Sequence, residues 1–376
     1  MTNFFLIVCF FVDKAKKNGY NSFSHTCDLR QSVIEKEVAM AITMTEVAKQ
    51  LNLSHSTVSL VLNNRYHNRV RPEVAARILS TAKELGYRPN RAASELRRQR
   101  SNNIGILLPS TRNFFYGEMV ADLHQKICQL NYSPIFAFWD LLGEQQRAVE
   151  TILSWQTEAI ITVEPSLLPR KLDIPVASFY NADPRFDLVE LNLPAAMTQI
   201  LRYLYELGHR RIAWLGNRED LRYKTLVQQA PKFGIAIPPE FQVVGRGVLS
   251  FADGSQFFDR LLEQSRGRLP TAIIAHNDMV AIGIIRQAVK RGYRIPEDFS
   301  LVGQDDIVQA EFSLPTLTTI HYADGGSVAK MLVDTVFRRL KCPELPRQVV
   351  RIEPTLIKRE SCGVAPSNRI KRRIQP

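Results

Sequence analysis

Apolar residues near the start of the chain come in two short bursts, Val47, Ala48, Leu51 and then Val58, Val61, Leu62. Within each burst the positions lie three and four apart, the spacing that stacks side chains on one face of a helix. Asn52-Leu53-Ser54 separates the bursts. Asn tolerates the left-handed backbone of a tight turn, and Ser54 is suited to cap the helix that follows. The pattern predicts two short helices meeting at a sharp angle, the second free to lie in a DNA major groove. Arg71-Pro72-Glu73 then opens a third helix, since proline fits a first helical turn and an acid favours the positive helix end. Ala75, Ile78, Leu79, Ala82 and Leu85 continue its stripe and Gly86 ends it. Residues 40–88 are therefore expected to form a small all-α helix-turn-helix headpiece.

Pro89 breaks the chain, and the basic, alanine-bearing stretch that follows has too few apolar residues to hold a helix alone. Residues 89–102 read as a hinge or linker, with a solvated linker as the plain alternative to a helix formed on DNA. Beyond it the period changes. Ile104–Pro109, Ala159–Val163, Arg211–Leu215, Thr271–Ala275 and Ser300–Gly303 are apolar runs of the kind that form buried parallel strands, and amphipathic stretches such as Ala195–Leu207 and Met279–Lys290 lie between them. Such alternation predicts a doubly wound α/β core over 103–362, with ligands held outside the carboxyl ends of the strands. No internal repeat or low-complexity segment stands out.

Charge sharpens the first expectation. The 376-residue chain carries a formal net charge of +12 and is 45% hydrophobic, ample for packed cores. Between Met40 and Ser101 eleven Lys and Arg face four Asp and Glu, and the tail, 363–376, adds Arg369, Lys371, Arg372 and Arg373 with no acid. A clustered basic excess favours an anionic partner through counterion release. The five cysteines are scattered without C-x-x-C spacing, so no zinc ribbon or disulfide framework is indicated and a reducing cytoplasm fits. Phe4 to Val12 is apolar throughout but far below the ~20 residues that span a bilayer. It lacks a preceding basic residue and a nearby small-residue cleavage site, which speaks against a signal peptide. Residues 1–39 are read as an extension or as a start assigned too far upstream, Met40 being a natural beginning.

Read together, several motifs resemble the LacI/GalR family of bacterial transcription regulators from about Met40 to Cys362. They are T-V-S-x-V-L-N at Thr57–Asn63, E-L-G-Y-R-P-N at Glu84–Asn90, N-N-I-G at Asn102–Gly105 and L-G-H-R-R-I-A at Leu207–Ala213. Further on come H-N-D-M-V-A-I-G at His276–Gly283, I-P-E-D-F-S-L-V-G-Q-D-D at Ile295–Asp306, L-T-T-I at Leu317–Ile320 and K-R-E-S at Lys358–Ser361. The resemblance implies a homodimer that reads a near-palindromic double-stranded DNA operator. It also implies a two-lobed core, similar to periplasmic binding proteins, that binds a sugar-like or anionic metabolite between lobes. The first lobe would be Asn103–Phe179 and the second Asn181–Gln304, with the chain crossing back near Asp305–Tyr322. It implies no cofactor, no metal and no membrane partner.

Carried over position by position, His55, Ser56 and Leu60 would read bases. The family often has Arg where Leu60 stands, and leucine offers only apolar contact, for instance to a thymine methyl; its alternative role is packing. Ser54, Thr57, Ser59, Asn63 and Arg65 would contact phosphates. Asn90, Ala93 and Leu96 match the family's hinge helix, whose leucine wedges into the minor groove. Asn113, Phe115, Arg222, Asn277 and Asp305 would form the effector pocket. Here the chain departs from the family pattern: N-P-F-F reads Asn113-Phe-Phe-Tyr116, a strand-end D-N reads Asn192-Leu193, Gln304 replaces an aromatic, and R-x-x-G-Y reads Arg222–Leu226. Other classes fare worse. A transporter's solute-binding protein would have no use for the headpiece, and no P-loop, G-x-S-x-G, H-E-x-x-H or early G-x-G-x-x-G supports an enzyme.

Overall fold

A computed structural model describes residues 42–87, 100–139, 143–247, 249–322 and 327–366. Residues 1–39, the hinge positions Asn90, Ala93 and Leu96, and the tail beyond 366 lie outside the described residues. The contacts divide the chain into two units, one up to Arg97 and one from Arg98 onward.

In the first unit, α1 spans Met44–Leu51, α2 His55–Leu62 and α3 Pro72–Glu84. Thr43 and Glu46 form a reciprocal capping box that satisfies the free N–H groups at the start of α1. Asn52 ends α1 with φ 52°, the left-handed turn anticipated from its identity. Ser54 then caps α2, its Oγ accepting from Thr57 N at 3.1 Å. Val47, Ala48, Val58, Val61, Ala75, Ile78 and Ala82 form one small buried cluster, with Leu51, Leu62 and Leu85 packed around it. Leu79, placed on the α3 stripe by spacing, is 46% exposed instead.

The second unit is built on two parallel sheets. The first contains β1 (Asn103–Pro109), β2 (Ser133–Trp139), β3 (Ala159–Thr162), β4 (Val176–Phe179), β5 (Asp187–Leu191) and, returning from far along the chain, β11 (Val349–Ile352). Its order is 2-1-3-4-5-11. Helices α4 (Phe114–Gln129) and α5 (Gln145–Ser154) follow β1 and β2. The second sheet contains β6 (Ile212–Gly216), β7 (Gln242–Val244), β8 (Ala272–Ala275) and β9 (Ser300–Val302), in the order 7-6-8-9. Around it stand α6 (Leu193–Glu206), α7 (Leu221–Gln229), α8 (Phe251–Gln264) and α9 (Asp278–Lys290). At Gly254 of α8 and Gly283 of α9 the backbones come so close that an added Cβ would lie 2.1 Å from a carbonyl oxygen of the other helix. A short α10 (Val308–Phe312), the antiparallel pair β10 (Thr319–His321) and β12 (Thr355–Ile357), and α11 (Val328–Lys341) complete the unit.

The lobe boundary differs from the one expected. β5 pairs with β4 in the first sheet, so residues 187–191 belong to the first lobe, and the chain leaves that sheet only after Leu191. It also returns to the first sheet, through α11 and β11, before going back toward β10 through β12. The cause is long-range pairing: Val349–Ile352 lies beside Leu188–Leu191, a register that local pattern does not encode. No helix among the described residues is long and apolar enough to cross a membrane.

Candidate functional site

At the start of α2 the side chains of Ser54, His55 and Ser56 are exposed, while Val58 and Val61 on the opposite face are buried. The Ser54 hydroxyl lies 2.8 Å from both Ser56 Oγ and Thr57 Oγ1, so the cap also orders its neighbours. Asn63 closes α2, its Nδ2 donating to Ser59 O at 2.7 Å, and Arg65 is exposed beyond it. Thr57, Ser59 and Leu60 are half-buried, and Leu60 is not among the side chains that pack on the headpiece cluster. One helix face therefore presents hydroxyl, imidazole and a single isobutyl group to solvent, a set able to meet base edges and phosphates.

The core holds a cavity of about 160 Å³. In both sheets the strand order reverses, between β1 and β3 and between β6 and β8, and ligand crevices form outside the carboxyl ends at such points. The walls come from those ends. Pro109 closes β1, Asn113, Phe115 and Tyr116 open α4, Tyr180 follows β4, Arg222 follows β6, His276 and Asn277 follow β8, and Asp305 follows β9. Asn113 and Asn277 are helix caps, their Oδ1 atoms accepting from Phe115 N at 3.0 Å and Val280 N at 2.9 Å. Capping occupies those oxygens and leaves the amide nitrogens for a ligand. Phe115 stacks on Phe179 with ring centres 6.0 Å apart and touches the cores of both lobes.

One guanidinium and two carboxylates sit at the centre. Arg222 donates to Asp305 Oδ1 at 2.9 Å and lies 3.5 Å from Asp220 Oδ2. Asp220 caps α7 through the Arg222 backbone N–H at 2.7 Å, and its Oδ1 also accepts from Tyr180 Oη at 2.8 Å. Tyr180 belongs to the first lobe and Asp220 to the second, so this hydrogen bond ties the lobes across the cavity. The Arg222 guanidinium also stands 5.3 Å from the centre of the Tyr180 ring.

Burial governs the protonation of these groups. It pushes Asp305 up to about 6 even though Arg222 favours the anion. Burial also acts against Asp220, but Arg222 and His276 hold that carboxyl below its ordinary value. Desolvation and the neighbouring guanidinium push His276 down to about 4, so its ring is neutral near pH 7. Burial raises the Tyr116 hydroxyl to about 12. Two polar atoms in the wall, Arg222 Nε and His276 Nδ1, are buried without a hydrogen-bond partner, an expensive condition that a ligand would relieve.

All five pocket residues expected from the sequence, Asn113, Phe115, Arg222, Asn277 and Asp305, line this one cavity. Tyr116, Tyr180, Asp220 and His276 line it too and were missed. Position after a predicted strand end could have flagged His276, and the Asp-x-Arg cap signature Asp220, whereas no strand was predicted before Tyr180. Of the departures from the family pattern, those at Asn113–Tyr116 and Arg222 fall in the cavity wall and the other two fall elsewhere. Gln304 turns its Nε2 to Ala275 O at 3.1 Å, and Asn192 caps α6 while donating to Glu353, so neither faces the cavity.

Comparison with known proteins places these features among relatives. Residues 43–90 match the bacterial regulatory proteins, lacI family, and residues 201–362 match the periplasmic binding protein-like domain. The chain is 28% identical over 337 residues to the ribose operon repressor of Escherichia coli (strain K12), covering 85% of this chain and 99% of that protein. It is 28% identical over 320 residues to the HTH-type transcriptional repressor CytR of the same strain, covering 80% and 91%. Among solved structures it is similar to a lac repressor dimer bound to operator and the anti-inducer ONPF, with TM-score 0.70, 22% identity and coverage of 86% and 99%. It is also similar to a LacI family regulator from Enterococcus faecium with bound ribose, with TM-score 0.60, 20% identity and coverage of 70% and 99%.

Proposed function

The chain belongs to the lacI family of bacterial regulatory proteins, and on that premise we propose that it represses transcription as a homodimer, under control of a small polar effector. Two copies of α2 would read the two halves of a near-palindromic operator, His55, Ser56 and Leu60 touching bases. Ser54, Thr57, Ser59, Asn63 and Arg65 would fix register on phosphates, and Leu96, on a hinge helix with Asn90 and Ala93, would wedge into the minor groove. The observation that carries the reading is the α2 surface, where polar side chains stand out over a buried Val58 and Val61.

The effector would sit in the cavity lined by Asn113, Phe115, Arg222, Asn277 and Asp305, now joined by Tyr180, Asp220 and His276. Its volume is close to that of a cavity known to hold a single six-membered ring. Each lobe contributes walls, so a bound molecule changes how the lobes meet, and that change would be read out as operator affinity. Selection of sites from random DNA with the full chain, at fixed salt, tests the reading. Enrichment of a palindromic motif supports it; binding no tighter than to bulk competitor DNA removes it.

A further inference from the structure

The cavity carries more negative than positive charge. Within it, Asp220 and Asp305 share the single guanidinium of Arg222. His276 stands in the same wall, its Nδ1 buried and unpartnered and its Nε2 4.0 Å from Asp220 Oδ2. That ring is neutral near pH 7 and supplies no second cation. Glu164 adds another acid close to Tyr116. An anionic ligand would therefore enter against an uncompensated buried charge, which low dielectric makes severe. That argues against the anionic half of the effector class expected from the sequence.

The walls are also suited to a cation. Phe115, Tyr116, Phe179 and Tyr180 supply aromatic surface, and the Tyr180 ring already holds a guanidinium at 5.3 Å. Asp220 spends Oδ1 on Tyr180 and on its helix cap, whereas Oδ2 is directed toward Arg222 at 3.5 Å and His276 at 4.0 Å without a short hydrogen bond. The unpartnered Arg222 Nε–H asks for an acceptor. A ligand matching these groups needs a donor for a carboxylate oxygen and a hydroxyl or ether oxygen for the guanidinium.

We propose that the effector is a small monocyclic polyol bearing a protonated amine, of the amino-sugar type, whose ammonium group is received by Asp220 against the aromatic wall. This rests on the pocket being the effector site. It makes Asp220 and Tyr180 the residues that select ligand charge.

The test is calorimetric titration of the full chain with matched sets of hexoses and pentoses, each as the neutral sugar, the amino sugar and the sugar phosphate. The expected result is an amino sugar that binds at least about tenfold tighter than its neutral counterpart, with no detectable binding of the phosphate. Asp220→Asn keeps an N-cap residue and removes the charge, so it should erase that preference. A neutral or phosphorylated sugar that binds as tightly as the amine overturns the charge assignment and leaves the effector pocket standing. A preference that survives Asp220→Asn overturns it as well. Silence across the whole panel, with operator binding intact, overturns both.

Discussion

In the headpiece, Ser54, His55 and Ser56 stand in solvent while Val58 and Val61 beneath them are fully buried. In the core the arrangement is inverted: Arg222, Asp220 and Asp305 are the buried groups, enclosed by Phe115, Phe179 and Tyr180. A surface that meets its partner from outside can change its recognition chemistry without disturbing what lies below. A pocket that buries its recognition groups cannot, because each charge is also a neighbour's counter-ion. Sequence preference in the headpiece is thus separable from stability, whereas effector preference in the core is coupled to it.

Four substitutions break or sharpen this contrast. Val58→Asp puts a charge into a cluster of few side chains, so the headpiece should unfold, a loss of about 4 kcal/mol or more, and operator binding should vanish. Calorimetry should show the core transition unmoved; a core that melts with it would contradict the division into two units. Arg222→Ala strands two carboxylates and should destabilise the core by about 3–5 kcal/mol. Thermal melting reads this directly, and an unchanged Tm would mean the pocket charges are not coupled to folding.

Asp278 sharpens the point through pH. Burial, with Asp305 nearby, raises its carboxyl to about 8, while it accepts from Thr319 Oγ1 at 2.6 Å and Ile307 N at 3.0 Å. The folded state then holds a proton that the unfolded chain releases near 3.8, so this contribution is complete below that pH and is lost as pH rises through about 8. His276 acts in the opposite sense, its contribution being present above 6.5 and lost as pH falls through about 4. Asp278→Asn should raise Tm by a few degrees at pH 8 and change it little at pH 5. Equal shifts at both values would dismiss the burial of an ionisable proton. The smallest effect on stability should come from Leu60→Arg, within about 0.5 kcal/mol, yet site selection should return a changed base, a guanine, at one operator position. An identical selected site would show that Leu60 reads no base.

The two regions also differ in how far they could be read from sequence. Asn52, Ser54, Val58 and Val61 settle the headpiece turn within a dozen residues, because each acts on neighbours a few positions away. Buried strands such as Ala159–Thr162 and Ala272–Ala275 were equally plain, being continuous apolar runs. The lobe boundary was misplaced because β5 and β11 meet across more than a hundred and fifty residues. The pocket fell between these cases. Asn113, Asn277 and Asp305 stood inside recognisable motifs. Tyr180 and Asp220 carry no local signal of their partnership, since the bond joining them crosses from one lobe to the other. Gln304 and Asn192 looked like alterations of the pocket and are instead tied to the Ala275 carbonyl and to the Glu353 carboxylate.

Asp305 sits at φ 113°, a backbone region that residues with a side chain seldom occupy and that costs about 1–3 kcal/mol. Glycine there would relax the chain and yet leave Arg222 without its nearest counter-ion. Backbone ease and the buried ion pair therefore pull this codon in opposite directions, and by magnitude the pair prevails, so sturdiness and responsiveness both hold the aspartate in place.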